Sequence, residues 1–228
     1  MSGALTAPMD VPFGPSGKVT LRKMVLDEDA PLLHDWFNRD YARFWGLQGK
    51  TVDEIREKFA EIEASGTCDV IFGVLASTGE RLFMFQSYDV HADELGHHYA
   101  VQPGDRGFHF MVGPPEHPRP AMAYHTLQAV CAWIFRDTQV RRIVGEPDVR
   151  NEKAMRRMVQ AGFSADKVLH LRYKSALLMH RSRPSFEAAR TQAPPPNPDR
   201  APLSGMVLKY HLLVSRIGRR IGLIERHW

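Results

Sequence analysis

The sequence is constrained most by an apolar strand pattern that leads directly into an apolar helix pattern. The segment GFHFMVGPP (107–115) is typical of a buried strand and ends at two consecutive prolines. From Pro120 to about Asp137 the chain follows a helical pattern that is apolar on nearly every side, with proline in its first turn. A strand and helix that are both buried require a sheet covered by helices.

Further strand and helix patterns flank this unit. Thr51 and Glu54 predict a capping box at the start of a helix over 51–65, and Asn151 predicts the cap of a short helix that ends at Gly162. Strands are predicted at 18–26, 68–77, 81–90 and 141–148, and a last strand or hairpin at 166–183. Because an antiparallel start precedes two βα crossovers, we predict an α/β fold with a mixed, mostly antiparallel sheet and helices on both faces.

Four segments are predicted. Residues 1–17, rich in glycine and proline, are expected to form a flexible lead-in, and residues 18–186 form the α/β domain. Residues 187–204 contain three consecutive prolines and are expected to be a linker. Residues 205–228 have the pattern of a basic amphipathic helix. That helix could fold back onto its own domain, dock a partner or a second copy, or lie on an anionic membrane; we favour the first two interpretations.

Composition narrows the class of protein. In 228 residues the formal net charge is +4, and the basic residues do not alternate with aromatic residues in one stripe, so we expect no nucleic-acid partner. The two cysteines, Cys68 and Cys131, lie in apolar runs and predict buried thiols rather than a disulfide framework. No apolar run reaches membrane-spanning length and the N-terminus lacks a signal-peptide pattern, so we expect a cytoplasmic protein. The eleven histidines show no regular ligand spacing, and we expect no metal site.

A string of motifs is similar to one branch of the GNAT acyltransferases, the siderophore-pathway enzymes that acylate hydroxylysine or lysine. It contains Gly104-Asp105, Gly107-Phe108-His109, Glu146-Pro147-Asp148, Asn151 and Gly162-Phe163, and it ends at Lys174 and Ala176. The resemblance covers about residues 18–186. It implies a GNAT fold in which two central strands splay apart to admit the pantetheine arm of an acyl-CoA.

The resemblance also implies roles for individual residues. His109 and Asp148 are expected to meet in the acceptor site, where His109 accepts a proton from the attacking nitrogen and Asp148 orients the imidazole, stabilises its cation or holds the amine. The residues expected at the acyl-CoA are Met111, Val112, Arg119, Ala121, Met122, Ala123, Asn151 and Met155. Those expected at the acceptor are Trp45, Gln86, Tyr88, Tyr99 and Asp105.

Two departures from the family pattern bear on these expectations. The pyrophosphate loop reads EHPRPAMAY, with proline and alanine where relatives have glycine, so Arg119 is the candidate to supply charge there. The segment Gln86-Ser87-Tyr88 stands where relatives carry Glu-x-Tyr, and the lost carboxylate bears on recognition of a cationic acceptor.

The leading hypothesis is acetyl transfer from acetyl-CoA to the side-chain N-hydroxy amine of hydroxyornithine or hydroxylysine, which gives a hydroxamate. One alternative is an N-acyltransferase for lysine, an aminoglycoside or another amine, with longer acyl donors possible. A further alternative is a non-catalytic adaptor that docks a siderophore synthetase through the C-terminal helix.

Overall fold

The computed structural model describes residues 7–114 and 119–190, which form one mixed sheet with helices on both faces. The sheet has eight strands in the order β1-β2-β3-β4-β5-β6-β8-β7. Their bounds are β1 Met9–Pro12, β2 Lys18–Lys23, β3 Cys68–Leu75, β4 Arg81–Tyr88, β5 Asp105–Val112, β6 Arg142–Gly145, β7 Ser164–His170 and β8 Ser175–Ser182. The α-helices are α1 Leu26–Phe37, α2 Val52–Ala64, α3 Met122–Ile134, α4 Glu152–Gln160 and α5 Arg183–Arg190. Short 3-10 helices occur at Gly14–Ser16, Asp40–Trp45, Val90–Ala92 and Glu94–His97.

The pairing of β5 with β6 determines where the sheet can open. These two strands are parallel, whereas the other paired strands of the described chain are antiparallel, as predicted. Their register runs from Asp105 opposite Arg142 to Gly107 opposite Val144. Since β5 continues to Val112 and β6 ends at Gly145, the last part of β5 pairs with β4 alone. A gap between splayed strands therefore lies beside the second half of β5.

The two faces of the sheet bury different helices. One core packs α3 and α4 against strand residues that include Phe83, Phe85 and Phe108. The opposite face holds a second core formed with α1 and α2, to which Phe72, Met84 and Met111 contribute. A third, smaller core is shared by the Val90 and Leu95 turns and by β8.

The domain begins earlier than the sequence pattern predicts. Residues Met9–Pro12 form β1, an edge strand antiparallel to β2, and the Phe13 ring stacks on Phe83 at a centroid distance of 5.7 Å. The expected flexible lead-in thus includes part of the sheet, and the pattern missed it because glycine and proline surround only four strand residues. At the other end α5 extends past residue 186 and packs Phe186 into the core. The remaining linker and the predicted helix 205–228 lie outside the described residues.

Helix ends follow the predicted chemistry with one exception. Thr51 and Glu54 form the capping box, and Asn151 Oδ1 accepts a 3.1 Å hydrogen bond from the Ala154 N–H. Helix α3, however, begins at Met122 after Ala121, whose φ of 53° is in the left-handed region. That conformation is uncommon for alanine and marks a constrained entry into the helix.

Candidate active site

A cavity of about 620 Å³ opens on the α1/α2 face of the sheet, beside the splay between β5 and β6. Its apolar wall includes Trp45, Phe59 and Ile62, and its floor comes from the ends of the central strands. The polar residues that line it are Lys58, Glu61, Ser65, Thr67, Gln86, Tyr88, Asp89, Asp93, His109, Glu146, Asp148, Asn151, Tyr173 and Lys174. Three of the five residues expected at the acceptor, Trp45, Gln86 and Tyr88, lie here.

His109 lies in the wall of this cavity because side chains alternate along β5. Phe108 and Phe110 pack with the α3/α4 core, whereas Met111 lies in the α1/α2 core, so His109 faces the second side. The Trp45 ring meets the imidazole edge-on at a centroid distance of 6.0 Å. With 31% of its side chain exposed, His109 is accessible to a ligand in the cavity.

The imidazole of His109 is held between two acceptor groups. Its Nε2 lies 2.7 Å from Glu146 Oε1, and its Nδ1 lies 3.1 Å from Gln86 Oε1. Gln86 and His109 are directly paired across β4 and β5, which explains the second contact. Since both ring nitrogens face oxygen acceptors, the site is complementary to an imidazolium, the form that results when histidine accepts a proton.

Glu146 is the centre of this polar cluster. Its carboxylate, 1% exposed, accepts hydrogen bonds from Tyr88 Oη at 3.0 Å on Oε2 and from Lys174 Nζ at 3.1 Å on Oε1. Burial by itself would raise the pKa of Glu146, but His109 and Lys174 outweigh burial and lower the pKa below its usual range. Burial and the Glu146 charge raise the pKa of Tyr88 far above its usual value, so Tyr88 stays a neutral donor. The carboxylate is therefore ionised and fixed in place.

The packing around Gly107 explains why glycine precedes Phe108 and His109 in the motif string. A Cβ at this position would lie 2.1 Å from the Tyr88 ring, so only glycine lets the ring pack on the backbone of β5. Tyr88 and Gly107 are paired across β4 and β5, and the contact aims the phenol at Glu146.

Asp148 lies in the same cavity, but its hydrogen-bond partner is not His109. Its carboxylate accepts hydrogen bonds from Arg150 Nε at 2.9 Å and Arg150 Nη2 at 2.7 Å. Its backbone forms an antiparallel bridge to Ala176 in β8. The carboxylate that meets the imidazole is thus Glu146, two residues earlier in the same EPD motif, and the sequence analysis did not assign it a role.

Tyr99 and Asp105, two residues expected at the acceptor, do not line the cavity. The Asp105 carboxylate, 0% exposed, accepts two 2.7 Å hydrogen bonds from Arg142 and one of 2.9 Å from Tyr99 Oη. Asp105 also accepts from the Gln102 N–H. We therefore correct this expectation: the two residues anchor the start of β5 to β6 and to the loop before it.

Some of the residues expected at the acyl-CoA are buried in the hydrophobic cores, and others lie at the splay or at the cavity. Met111 and Met155 pack in the hydrophobic cores at 4% and 0% exposure, which leaves Met155 no surface for a ligand and corrects that expectation. Val112 ends β5 beside the splay, and Asn151 lines the cavity while it caps α4.

Helix α3 supplies the other expected cofactor residues. Ala121, Met122 and Ala123 form its cap and first turn, where free N–H groups and the helix dipole favour a phosphate group. Arg119 Nη2 donates a hydrogen bond to Glu80 Oε2. The Glu80 carboxylate therefore neutralises part of the positive charge that Arg119 was expected to bring to the pyrophosphate. Residues 115–118 of the altered loop lie outside the described residues.

The sequence analysis also gave no role to Lys174 or to Asp89 and Asp93. Lys174 belongs to the motif string, and its contact with Glu146 depends on the turn between β7 and β8, which no local pattern specifies. Asp89 and Asp93 cap short 3-10 helices through one carboxylate oxygen each and line the cavity.

Over the described residues, no group of three or more histidine, cysteine or acidic side chains is arranged to hold a metal. In the same part of the chain no helix has the length and hydropathy to cross a bilayer.

Comparison with known proteins assigns the domain. Residues 25–171 match the acetyltransferase (GNAT) domain family. An aminoglycoside N(6')-acetyltransferase type 1 of Klebsiella pneumoniae is 25% identical over 77% of this chain and 88% of its own length. An N(6)-hydroxylysine O-acetyltransferase of Escherichia coli is 24% identical over 69% of this chain, which spans about 50% of that relative.

Solved structures have the same architecture. An uncharacterised protein of Bacillus halodurans aligns with a TM-score of 0.74 at 25% identity, covering 82% of this chain and 95% of its own. The aminoglycoside acetyltransferase AAC(6')-Ib, in complex with paromomycin and acetyl-CoA, aligns with a TM-score of 0.67 at 25% identity. That alignment covers 77% of this chain and 99% of the other. The predicted GNAT architecture is thereby confirmed.

Proposed function

The chain belongs to the GNAT acetyltransferase family, and from that premise we propose that it transfers an acetyl group from acetyl-CoA to the side-chain nitrogen of an N-hydroxylated diamino acid. The observation that carries the proposal is His109, which lies in the cavity wall beside the β5/β6 splay and is bonded to Glu146. Acetyltransferase activity follows from the family. The acceptor is the part that we infer from the charges and the single base.

The donor side of the site matches an acyl-CoA. The half of β5 without a β6 partner offers backbone groups to the pantetheine arm, and the first turn of α3 offers N–H groups to the pyrophosphate. Related acetyltransferases have been solved with acetyl-CoA and with coenzyme A. We therefore assign the acyl-CoA to this gap, with its thioester directed at His109.

The transfer step requires one base. The acceptor nitrogen attacks the thioester carbon, an N–C bond forms, the C–S bond breaks, and coenzyme A leaves as the thiolate. The nitrogen loses its proton to His109, and Glu146 stabilises the imidazolium. A hydroxylamine nitrogen is less basic than an alkylamine and arrives without an extra proton. A single histidine thus meets the needs of an N-hydroxy amine directly, whereas an alkylammonium must lose one proton more.

The charges around the cavity favour an acceptor that carries a cation and an anion. Five carboxylates line it, those of Glu61, Asp89, Asp93, Glu146 and Asp148, against two ammonium groups, those of Lys58 and Lys174. Asp89 and Asp93 suit the α-ammonium of a diamino acid, and Lys58, which also lines the cavity, suits the α-carboxylate. We retain Asp148 in the acceptor wall, where Arg150 limits its charge.

A second candidate acceptor is an aminoglycoside. The excess of carboxylates over ammonium groups favours a polycation, and two relatives are named as aminoglycoside acetyltransferases. The adaptor hypothesis depended on the altered loop and the C-terminal helix, whose key residues lie outside the described chain, and family membership favours an enzyme.

The test incubates the protein with acetyl-CoA and each of a panel of acceptors, and measures activity as release of the coenzyme A thiol. The panel contains N6-hydroxylysine, N5-hydroxyornithine, lysine, ornithine, kanamycin and spermidine. We expect the highest kcat/KM with a hydroxylated diamino acid and a product that gives the ferric colour of a hydroxamate, which an O-acetyl ester does not give. A preference for kanamycin or spermidine would contradict the proposed acceptor and leave acetyl transfer standing.

A further inference from the structure

Lys174 is a charged residue of the cavity whose contacts connect the β7/β8 turn to the catalytic pair. Its Nζ donates to the Glu146 main-chain oxygen at 2.8 Å and approaches Glu146 Oε1 at 3.1 Å. Its side chain is 14% exposed, so the ammonium is largely withdrawn from water. The turn that carries it closes through a 2.9 Å hydrogen bond from the Leu171 N–H to the Lys174 carbonyl.

The turn is also attached to the rest of the domain on its other side. The Arg172 N–H donates to Glu94 Oε1 at 2.8 Å, and Glu94 lies in the 3-10 helix Glu94–His97. Lys174 is thus held in a defined position relative to the sheet. Because Glu146 Oε1 also lies 2.7 Å from His109 Nε2, one carboxylate oxygen contacts both side chains.

We propose that Lys174 is a positioning residue that fixes the Glu146 carboxylate and keeps His109 free of a resident proton between turnovers. The proposal rests on the role of His109 as the base in acetyl transfer. The reason is the local charge. With Lys174 present, a buried Glu146 carboxylate is balanced by one ammonium while His109 is neutral. Without Lys174, a protonated His109 is the one remaining cation of the described residues within hydrogen-bond reach of that carboxylate, and a protonated base cannot accept the acceptor's proton.

The other groups that face His109 do not provide this balance. From β4, Gln86 and Tyr88 are neutral, and the pKa of Tyr88 is raised far above its usual value by burial and Glu146. From the loop after β4, Asp93 adds a negative charge that acts on Tyr88.

The remaining charges on this side are similarly unable to replace Lys174. Asp148 is hydrogen-bonded to Arg150, and Tyr173 stays neutral because partial desolvation and the nearby carboxylates raise its pKa to about 12. Trp45, which meets the imidazole edge-on, carries no charge. Of the two ammonium groups that line the cavity, Lys174 is hydrogen-bonded to Glu146 and Lys58 is not. Among the described residues, Lys174 is therefore the cation that compensates Glu146 when His109 does not.

The experiment follows the His109 imidazole by NMR titration of the free protein, with the signal assigned by its loss in His109→Asn. Two neutral variants are compared with wild type, Lys174→Met and Lys174→Gln, together with Lys174→Arg, which keeps the charge. The control is Lys167→Met, which removes an exposed lysine from β7 of the same hairpin. No substrate is needed, so an error in the proposed acceptor does not affect the outcome.

We expect the imidazole titration midpoint to rise by about one pH unit in both neutral variants, as for removal of a nearby like charge. It should stay within a few tenths of the wild-type value in Lys174→Arg and Lys167→Met. With a working acceptor, the acidic limb of the kcat/KM profile should move upward by the same amount. An unchanged midpoint in the neutral variants would overturn the proposal. So would failure of both to fold, because Lys174 would then serve the fold rather than the base.

Discussion

His109 Nε2 lies 2.7 Å from Glu146 Oε1, although the two residues are 37 positions apart in the chain. The contact exists because β5 and β6 run parallel and their ends reach the same edge of the sheet. Glu146 receives two more donors, Tyr88 and Lys174, while it is almost fully buried. This one carboxylate therefore organises the polar end of the cavity.

His109→Asn should lower kcat/KM by about 10²- to 10⁴-fold, the range expected when a general base is removed. The folded state should be little affected, because the side chain is partly exposed and contacts its neighbours through hydrogen bonds and two aromatic rings, those of Trp45 and Tyr88. The measurement is steady-state release of coenzyme A thiol together with the thermal midpoint. His91→Ala, which removes an exposed histidine, is the control. Equal loss of activity in both variants would contradict the assignment.

Glu146→Gln should lower kcat more than Asp148→Asn does. The first change removes the charge that stabilises the imidazolium and should cost about 10²-fold in kcat, whereas Asp148 contacts Arg150 and should cost less than tenfold. Both substitutions keep the side-chain size, so kinetics with the same acceptor compare them directly. A larger loss of kcat in Asp148→Asn would restore the pairing of His109 with Asp148 that the sequence predicts.

Asp105→Asn should reduce stability without changing acceptor binding. The substitution leaves Arg142 without its buried partner, and breaking such a pair costs about 3–5 kcal/mol. Urea unfolding measures the loss, and KM for the acceptor should stay within twofold of wild type. Asp40→Asn, at an exposed aspartate, should change neither quantity. An increase in KM without loss of stability would place Asp105 in the acceptor site after all.

Asp29 should make the unfolding free energy depend on pH in acid. Burial alone would raise its pKa, but hydrogen bonds from Arg22, the Val25 N–H and Arg81 lower it. A carboxyl group whose pKa is lower in the folded than in the unfolded protein stabilises the fold at pH values above its unfolded-state pKa, near 3.9. That stability is lost as the pH falls through the folded-state pKa.

Asp29→Asn should therefore be less stable than wild type at pH 7, by about 3 kcal/mol, and the difference should shrink toward pH 3. Urea unfolding at several pH values measures both effects. Asp27→Asn is the matched control, because the Asp27 side chain is 89% exposed. A difference between Asp29→Asn and wild type that does not change with pH would contradict the role given to Asp29.

The sheet and helices could be predicted because their signals are local. The β5 strand with its two prolines and the Thr51 capping box were read from periodicity and neighbouring residues, and both are confirmed. The strand β1 was missed because its stability comes from pairing with β2 and from the packing of Phe13 on Phe83, which no local pattern records.

The site could be predicted in part. The sequence analysis named His109, Gln86 and Tyr88 as candidate site residues, and all three line one cavity of the structure. It could not distinguish Glu146 from Asp148, because residues two apart on a strand face the same side. Here β6 ends at Gly145, and the backbone at Asp148 bridges to β8 instead, so of these two carboxylates it is Glu146 that contacts His109. Asp105 was misassigned because its partner, Arg142, is brought close by the register of β5 and β6.

We propose that this acetyltransferase acts on the hydroxylated nitrogen of a diamino acid with His109 as the base. The most direct measurement is a competition assay with acetyl-CoA and equal concentrations of N6-hydroxylysine, lysine and kanamycin, with products identified by mass and by ferric colour. We predict that the hydroxamate of hydroxylysine dominates with the wild-type protein and that His109→Asn abolishes its formation. Acetylated kanamycin as the main product, or undiminished hydroxamate formation by the variant, would contradict the claim.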